Sequence, residues 1–434
     1  VVLLGTFKNI FKVSELRKKI FFVLGALFIY RIGSIIPVLG VNVQALAEYM
    51  QQSTNLGSLF SYLDTFSGSA LGKCTLFALG ISPYITSSIM MQLLGMTMPS
   101  LEALLKEGEY GRKVINQYTR YLTLVLSILY ASSYAAILES QGLVLMGGFG
   151  FRIPFILSLT AGAMFVMWLG EQISIYGIGN GASVIIFAGI VARFPDYVIK
   201  TINHVQDGNI GLFTACAVWA FLIAIMAIVV YVEKGERKIP VQYARRVIGN
   251  RVYGAQSTFI PFKINAVGVM PVIFASSILQ LPMYIFGMLA SYFPALKFLS
   301  ESYTVGGALY NLLTFILILF FTYFYTALVF DPNKLAQDMK KSGGFILGLR
   351  PGKKTAEYLD YLLNRLGLIG ALYLAFLAIL PNLLPSVVSM PFYIGGTSLL
   401  IVVGVALEFS SQIEAYLIEH KYEGFLVSGK LKAR

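Results

Sequence analysis

Side chains able to do chemistry are scarce in this sequence of 434 residues. It has two histidines, His204 and His420, far apart and each at the margin of an apolar run. There is no HExxH, no metal-spaced Cys/His cluster and no Ser–His pairing suited to hydrolysis in an apolar setting. Cys74 and Cys216 both sit inside apolar runs, so no disulfide framework is suggested. The carboxylates embedded in such runs, Glu171, Asp331, Glu408 and Glu414, fall near their ends. Pumps and ion-coupled transporters bury ionisable relays deeper, because these are costly and kept for function. A secondary transporter of small molecules is the competing reading, and this scarcity argues against it.

Two glycine-bearing stretches imitate nucleotide loops and fail in detail. In GLRPGKKT (348–355), Leu347 stands where the first glycine of a phosphate loop belongs, and Lys354 where Ser or Thr follows the lysine. GEQISIYGIGNGAS (170–183) has no preceding strand and the wrong spacing for a dinucleotide fingerprint; its glycines suit a tight turn with positive φ. No enzymatic activity, metal or cofactor is expected.

The elements that would carry these residues are membrane spans. Apolar residues make up 57% of the chain and charged residues 12%. A soluble domain carries about 25% charged residues, so this chain cannot clothe itself in a solvated surface. Apolar runs of about 20 residues, enough to cross a bilayer, recur along it. They place ten spans at 20–40, 74–95, 117–138, 153–170, 182–201, 211–232, 266–289, 308–330, 366–386 and 392–417. No cleavable signal peptide is expected, because a short basic stretch leads straight into the first span.

The fifth span is the weakest, since Arg193, Pro195 and Asp196 follow its clean run Ala182–Ala192. Charge asymmetry supports it. With ten spans, both tails and the loops after spans 2, 6 and 8 share one side and hold 27 of the 33 Lys and Arg. Omitting span 5 turns two strongly basic loops outward, against the positive-inside rule. Both termini are therefore expected in the cytoplasm. Five spans fall in 1–201 and five in 202–434, and an odd-numbered half must sit inverted relative to its copy. The fold class expected is all-α and polytopic, with ten transmembrane helices in two inverted five-helix halves, to which a family resemblance adds a re-entrant plug helix.

Two regions do not suit a passive bundle. Residues 55–72, NLGSLFSYLDTFSGSALG, are amphipathic, interrupted by Gly57, Gly68 and Gly72, and too short to cross. Such a segment either lies on the outer surface or is re-entrant, buried in protein or lining a cavity. The basic loops 233–265 and 332–365 are about 30 residues each, longer than topology anchoring requires and suited to docking a large cytoplasmic partner.

Six blocks resemble the SecY/Sec61-alpha family, whose bacterial members form the pore of the Sec protein-translocation channel. They are TLFALGISPYITSSIMMQLL (75–94), MWLGEQISIYGIGNGASVIIFAGI (167–190), RVYGAQSTFIPFKIN (251–265), MPVIFASSI (270–278), KKSGGFILGLRPGKKT (340–355) and PFYIGGTSLLIVV (391–403). They occur in order and span essentially the whole chain.

The resemblance implies a clamshell of two halves around an hourglass pore that opens sideways to lipid. It implies a conduit for unfolded secretory polypeptides and a lateral exit for membrane proteins in the bacterial cytoplasmic (inner) membrane. Implied partners are the subunits SecE and SecG, the motor ATPase SecA, the ribosome, signal sequences and the lipid bilayer. The implied pore ring is Ile81, Ile85, Ile186, Ile190, Ile273 and Ile401. The implied plug is residues 55–72, with Leu59, Phe60, Leu63 and Phe66 as its apolar side chains. The lateral gate would join Thr86, Ser87 and Gln92 of span 2 to Ser277 and Gln280 of span 7. SecA or ribosome docking would use Arg237, Arg245, Arg246, Arg251, Arg350 and Lys353.

A narrow apolar collar dewets and blocks ions, yet offers a passing polypeptide no fixed hydrogen bond. Ile81/Ile85 and Ile186/Ile190 each have i, i+4 spacing, which places a pair on one helix face. Small hydroxylated residues join membrane helices weakly, by about 0.6–2 kcal/mol per contact, which suits a seam that must open.

Overall fold

The computed structural model describes residues 13–46, 64–65, 67–145, 147–208, 210–243, 246–248, 251–253, 257–265, 267–292, 307–383 and 395–427. The helices of the first half are α1 (Ser14–Gly33), α2 (Ser82–Thr97), α3 (Pro99–Lys106), α4 (Glu109–Ser140), α5 (Phe149–Tyr176), α6 (Gly181–Val191) and α7 (Phe194–Gln206). The second half contains α8 (Leu212–Glu233), β1 (Glu236–Tyr243), β2 (Arg246–Ile248), β3 (Arg251–Tyr253), β4 (Ser257–Lys263), α9 (Met270–Tyr292), α10 (Ala308–Val329), α11 (Pro332–Lys341), β5 (Gly344–Ile346), α12 (Lys353–Ile379) and α13 (Gly396–Val427). The fold is mainly helical.

Among the described residues, α4, α5, α6 with α7, α8, α10 with α11, α12 and α13 are long and apolar enough to cross a bilayer. The other three expected spans fall on α1, α2 and α9. Helix α1 carries Arg17, Lys18, Lys19 and Arg31, and α2 has 16 residues. The expected span 74–95 is helical only from Ser82. Before it the chain runs in turns, with Cys74 at φ 48° and Gly80 at φ 55°. Helix α2 then starts with Pro83 in its first turn, where a missing N–H leaves no intrahelical bond unmade.

The fifth span is broken as its sequence foreshadows. Helix α6 stops at Val191, the chain turns through Ala192 and Arg193, and Pro195 opens α7. Asn180 caps the start of α6 by accepting a hydrogen bond from the Ala182 N–H.

The two long basic segments are folded. β1 pairs antiparallel with β4 from Glu236–Lys263 to Gln242–Ser257, and with β5 through Val241–Ile346, giving the order β4-β1-β5. Ile239 and Val241 of β1, Phe262, Met339 of α11, Ile346, and Leu359, Leu362 and Leu363 of α12 form a small core of their own. Helix α12 thus begins 13 residues before the apolar run expected at 366–386, and its first turns belong to this platform.

The main apolar core unites both halves, running from Val23 in α1 to Val405 in α13. Helix α9 packs on α2 and α4, and α13 packs on α6. Helices of the N-terminal half therefore face helices of the C-terminal half along two seams.

Candidate functional site: an apolar constriction with a seat and a seam

Six isoleucines from four segments belong to the main core. Ile81 precedes the first turn of α2, Ile85 lies in it, Ile186 and Ile190 are on α6, Ile273 is on α9 and Ile401 on α13. All six are buried, none more than 7% exposed, and all belong to one contiguous cluster. Ile81 stands at the cap position outside the helix, but its carbonyl accepts from the Ile85 N–H at 3.2 Å, which keeps the pair stacked. These side chains press on the α5 backbone: a Cβ on Gly170 of α5 would lie 3.0 Å from Cδ1 of Ile81 and 3.5 Å from Cδ1 of Ile185. Both halves thus contribute isoleucines to the one buried apolar cluster.

The described residues between 64 and 74 are held by donors from α1, α4 and the α6–α7 corner. Tyr30 Oη of α1 donates to the Ser67 carbonyl at 3.3 Å, and Arg31 Nη1 donates to the Gly68 carbonyl at 3.0 Å. Tyr134 Oη of α4 donates to the Leu71 carbonyl at 2.9 Å. Arg193, at the α6–α7 corner, pairs with Asp64 at 3.1 Å and donates to Thr65 Oγ1 at 3.3 Å. Gly68, at φ 66°, rests on the backbone of Gly189; a Cβ there would come within 3.0 Å of the Gly189 Cα. The expected plug side chains Leu59, Phe60, Leu63 and Phe66 lie outside the described residues.

The seam between α2/α4 and α9 is polar but sparsely bonded. Thr86 Oγ1 reaches the Ser277 carbonyl at 3.5 Å, the limit of a hydrogen bond. The other expected gate residues turn inward on their own helices. Ser87 donates to the Pro83 carbonyl, Ser277 to the Ile273 carbonyl, and Gln92 to Ser88 Oγ at 3.5 Å. The Oε1 atoms of Gln92 and Gln280 are buried without a protein partner. The firmer contacts come from α4, which the sequence reading did not single out. Ser133 Oγ donates to the Tyr284 carbonyl at 2.5 Å, and the Tyr130 and Tyr284 rings stack with centroids 4.2 Å apart. One signal was available. Tyrosine in membrane helices favours the interface, so Tyr130, Tyr134 and Tyr284 in the middle of apolar runs imply buried partners for their hydroxyls or rings.

The platform displays cations. Arg237 projects from β1, while Arg350 and Lys353 flank the turn into α12, and all three are exposed. That turn is fixed by Gly348 at φ 83° and Gly352 at φ 109°, and by Thr355 Oγ1 donating to the Arg350 carbonyl at 3.0 Å. Arg246 and Arg251 lie on the paired strands β2 and β3, with Arg251 opposite Ile248. Arg245 lies outside the described residues. Two ion pairs brace the bundle elsewhere: Arg120 of α4 grips Glu171 of α5 through two bonds of 2.9 and 2.7 Å, and Arg152 pairs with Glu139. Glu171 is thereby accounted for as a brace. Glu408 and Glu414 are interior to α13, which runs on past the expected end of the last span.

Comparison with known proteins finds consistent relatives. The family model described as SecY matches residues 75–410. The translocase subunit SecY of Escherichia coli (strain K12) is 45% identical over 429 residues, covering 96% of each chain. A solved structure of a SecY protein, in which the plug domain stabilises the closed state of the translocation channel, superposes with TM-score 0.67 at 21% identity, covering 92% of each chain. Sec61 in the canine ribosome–channel complex superposes with TM-score 0.62 at 20% identity over the same shares.

Proposed function

The chain belongs to the SecY family, as a translocase subunit that is a protein-conducting channel without enzymatic activity, and on that premise we propose that its six buried isoleucines are the seal a translocating polypeptide must part. The carrying observation is that Ile81, Ile85, Ile186, Ile190, Ile273 and Ile401, contributed by both halves, fall in one apolar cluster. Such a collar resists ions because no polar atom replaces their hydration shell, and it yields to a chain because dispersion contacts are individually small.

The remaining assignments rest on the family to which the chain belongs. The chain is a multi-pass membrane protein, set in the bacterial cytoplasmic membrane with both termini and the basic platform in the cytoplasm. Residues 1–201 and 202–434 are its two inverted halves. Residues 55–72 are the plug. The seam of Thr86, Ser87 and Gln92 with Ser277 and Gln280 is the lateral exit for signal sequences and membrane segments into the lipid bilayer. Arg237, Arg245, Arg246, Arg251, Arg350 and Lys353 receive SecA or the ribosome, whose phosphates and carboxylates suit a cationic surface. SecE and SecG complete the complex.

A stalled secretory chain carrying photoreactive groups tests the reading. Adducts to residue 85 or 273 are expected when the chain is arrested mid-passage. Adducts confined to lipid or to other subunits would refute it.

A further inference from the structure

The contacts around Arg193 go beyond the conduit and its seal. Arg193 is the residue at which the fifth span breaks, only three positions after Ile190. Its side chain is 13% exposed and that of its partner Asp64 is 6% exposed, the most enclosed ion pair among the described residues. Asp64 is heavily committed: Oδ1 accepts from the Gly72 N–H at 2.7 Å and from Ser67 Oγ at 3.4 Å, while Oδ2 faces Arg193 at 3.1 Å. Arg193 also donates to Thr65 Oγ1 and lies 5.4 Å from the Tyr197 ring centroid, while its Nε is buried with no acceptor.

The pair therefore does two things at once. Through Asp64 it closes the 64–72 turn on itself. Through Arg193 it pins that turn to the end of α6, where Gly68 meets Gly189 backbone to backbone, between Ile186 and Ile190 of the seal. Separating the two residues strands a charge in an enclosed place, and losing one member of such a pair is much worse than losing both.

We propose that Arg193 is a positioning residue: paired with Asp64, it clamps the 64–72 turn onto α6, so that the plug seat and the Ile186/Ile190 edge of the seal hold and release as one unit. This rests on the conduit reading above.

The test is chloride efflux from vesicles containing the whole translocase complex. Asp64→Asn keeps an acceptor for the Gly72 N–H and removes only the charge, so it is the variant expected to fold regardless. Asp64→Asn and Arg193→Gln are each expected to raise efflux at least about tenfold, since either leaves an unpaired buried partner. The double variant should leak no more than the leakier single, and Arg193→Lys should stay within about threefold of the unmodified complex. Efflux unchanged in Asp64→Asn, single effects that multiply in the double variant, or a lysine variant as leaky as the glutamine one would overturn the clamp. Arrested-chain adducts at residues 85 and 273 are scored in the same variants. Their presence beside an unchanged leak sinks the clamp alone; their absence from the unmodified complex sinks the conduit reading.

Discussion

On the proposed reading, opening the seam towards lipid must separate the stacked Tyr130 and Tyr284 rings, which makes their stack a measurable part of the closing energy. The perturbation is Tyr130→Leu, which keeps bulk and apolarity but removes the ring and the hydroxyl. A stacked aromatic pair contributes about 0.5–1.5 kcal/mol beyond area burial. The Tyr130 hydroxyl reaches Thr86 Oγ1 at 3.5 Å, too long to add more than the ~0.6 kcal/mol typical of hydrogen bonds between membrane helices. Together these give about 1–2 kcal/mol, so the open fraction should rise about 5- to 30-fold. The assay is capture of an apolar segment: a photoreactive group at its centre reports adducts to α4 or α9. Segments too short to engage the unmodified channel should gain adducts in the variant. Tyr284→Leu should act similarly, and the double variant should show a coupling of about 1 kcal/mol. Strictly additive effects, or adduct yields that do not move, would refute the claim that this stack holds the seam.

Two further outcomes follow from the same geometry. Arg350→Glu reverses the exposed charge on the platform turn without touching either apolar core; it should leave the protein inserted and abolish motor-driven export, read as protease-protected substrate in inverted vesicles. Gly162→Ala places a Cβ on α5 where it would collide with the Leu76 carbonyl of the turn preceding α2; overpacking of this kind costs about 1–3 kcal/mol, and a melting temperature in detergent equal to the parent's would contradict it.

The sequence made the spans legible because hydropathy reports depth in the bilayer directly, and the sign of the loops ordered them. It was less informative about conformation at that depth. Residues 74–81 are as apolar as a helix, yet they run in turns around Cys74 and Gly80. The platform sheet was hidden for a specific reason. Pro240 and Pro261 lie within strands β1 and β4, and proline within a run argues against a strand. Both are accommodated because Pro240 points out of the small core and Pro261 lies opposite exposed Lys238. The ion pair at the seat joins residues 64 and 193, a separation at which no pattern in the chain announces a contact. The ring could be picked from among the many isoleucines only through family resemblance, since burial and i, i+4 spacing describe ordinary packing equally well.

The three parts of the site differ in the kind of bond that closes them, and that difference orders their release. The seat has a charge-assisted pair and several buried donors to backbone carbonyls. Among the described residues the seam has a short neutral hydrogen bond, a ring stack and contacts at the limit of bonding. The ring has dispersion alone. An entering apolar segment can replace what the seam loses, since it brings surface to cover Tyr130 and Tyr284, but it offers nothing to Asp64 or Arg193. The seam should therefore part first. The seat should follow only when α6 moves and Gly189 draws away from Gly68, because that motion stretches the ion pair directly. On the proposed reading, the 64–72 turn stays against α6 while the seam breathes, and leaves it when a passing chain spreads the isoleucines.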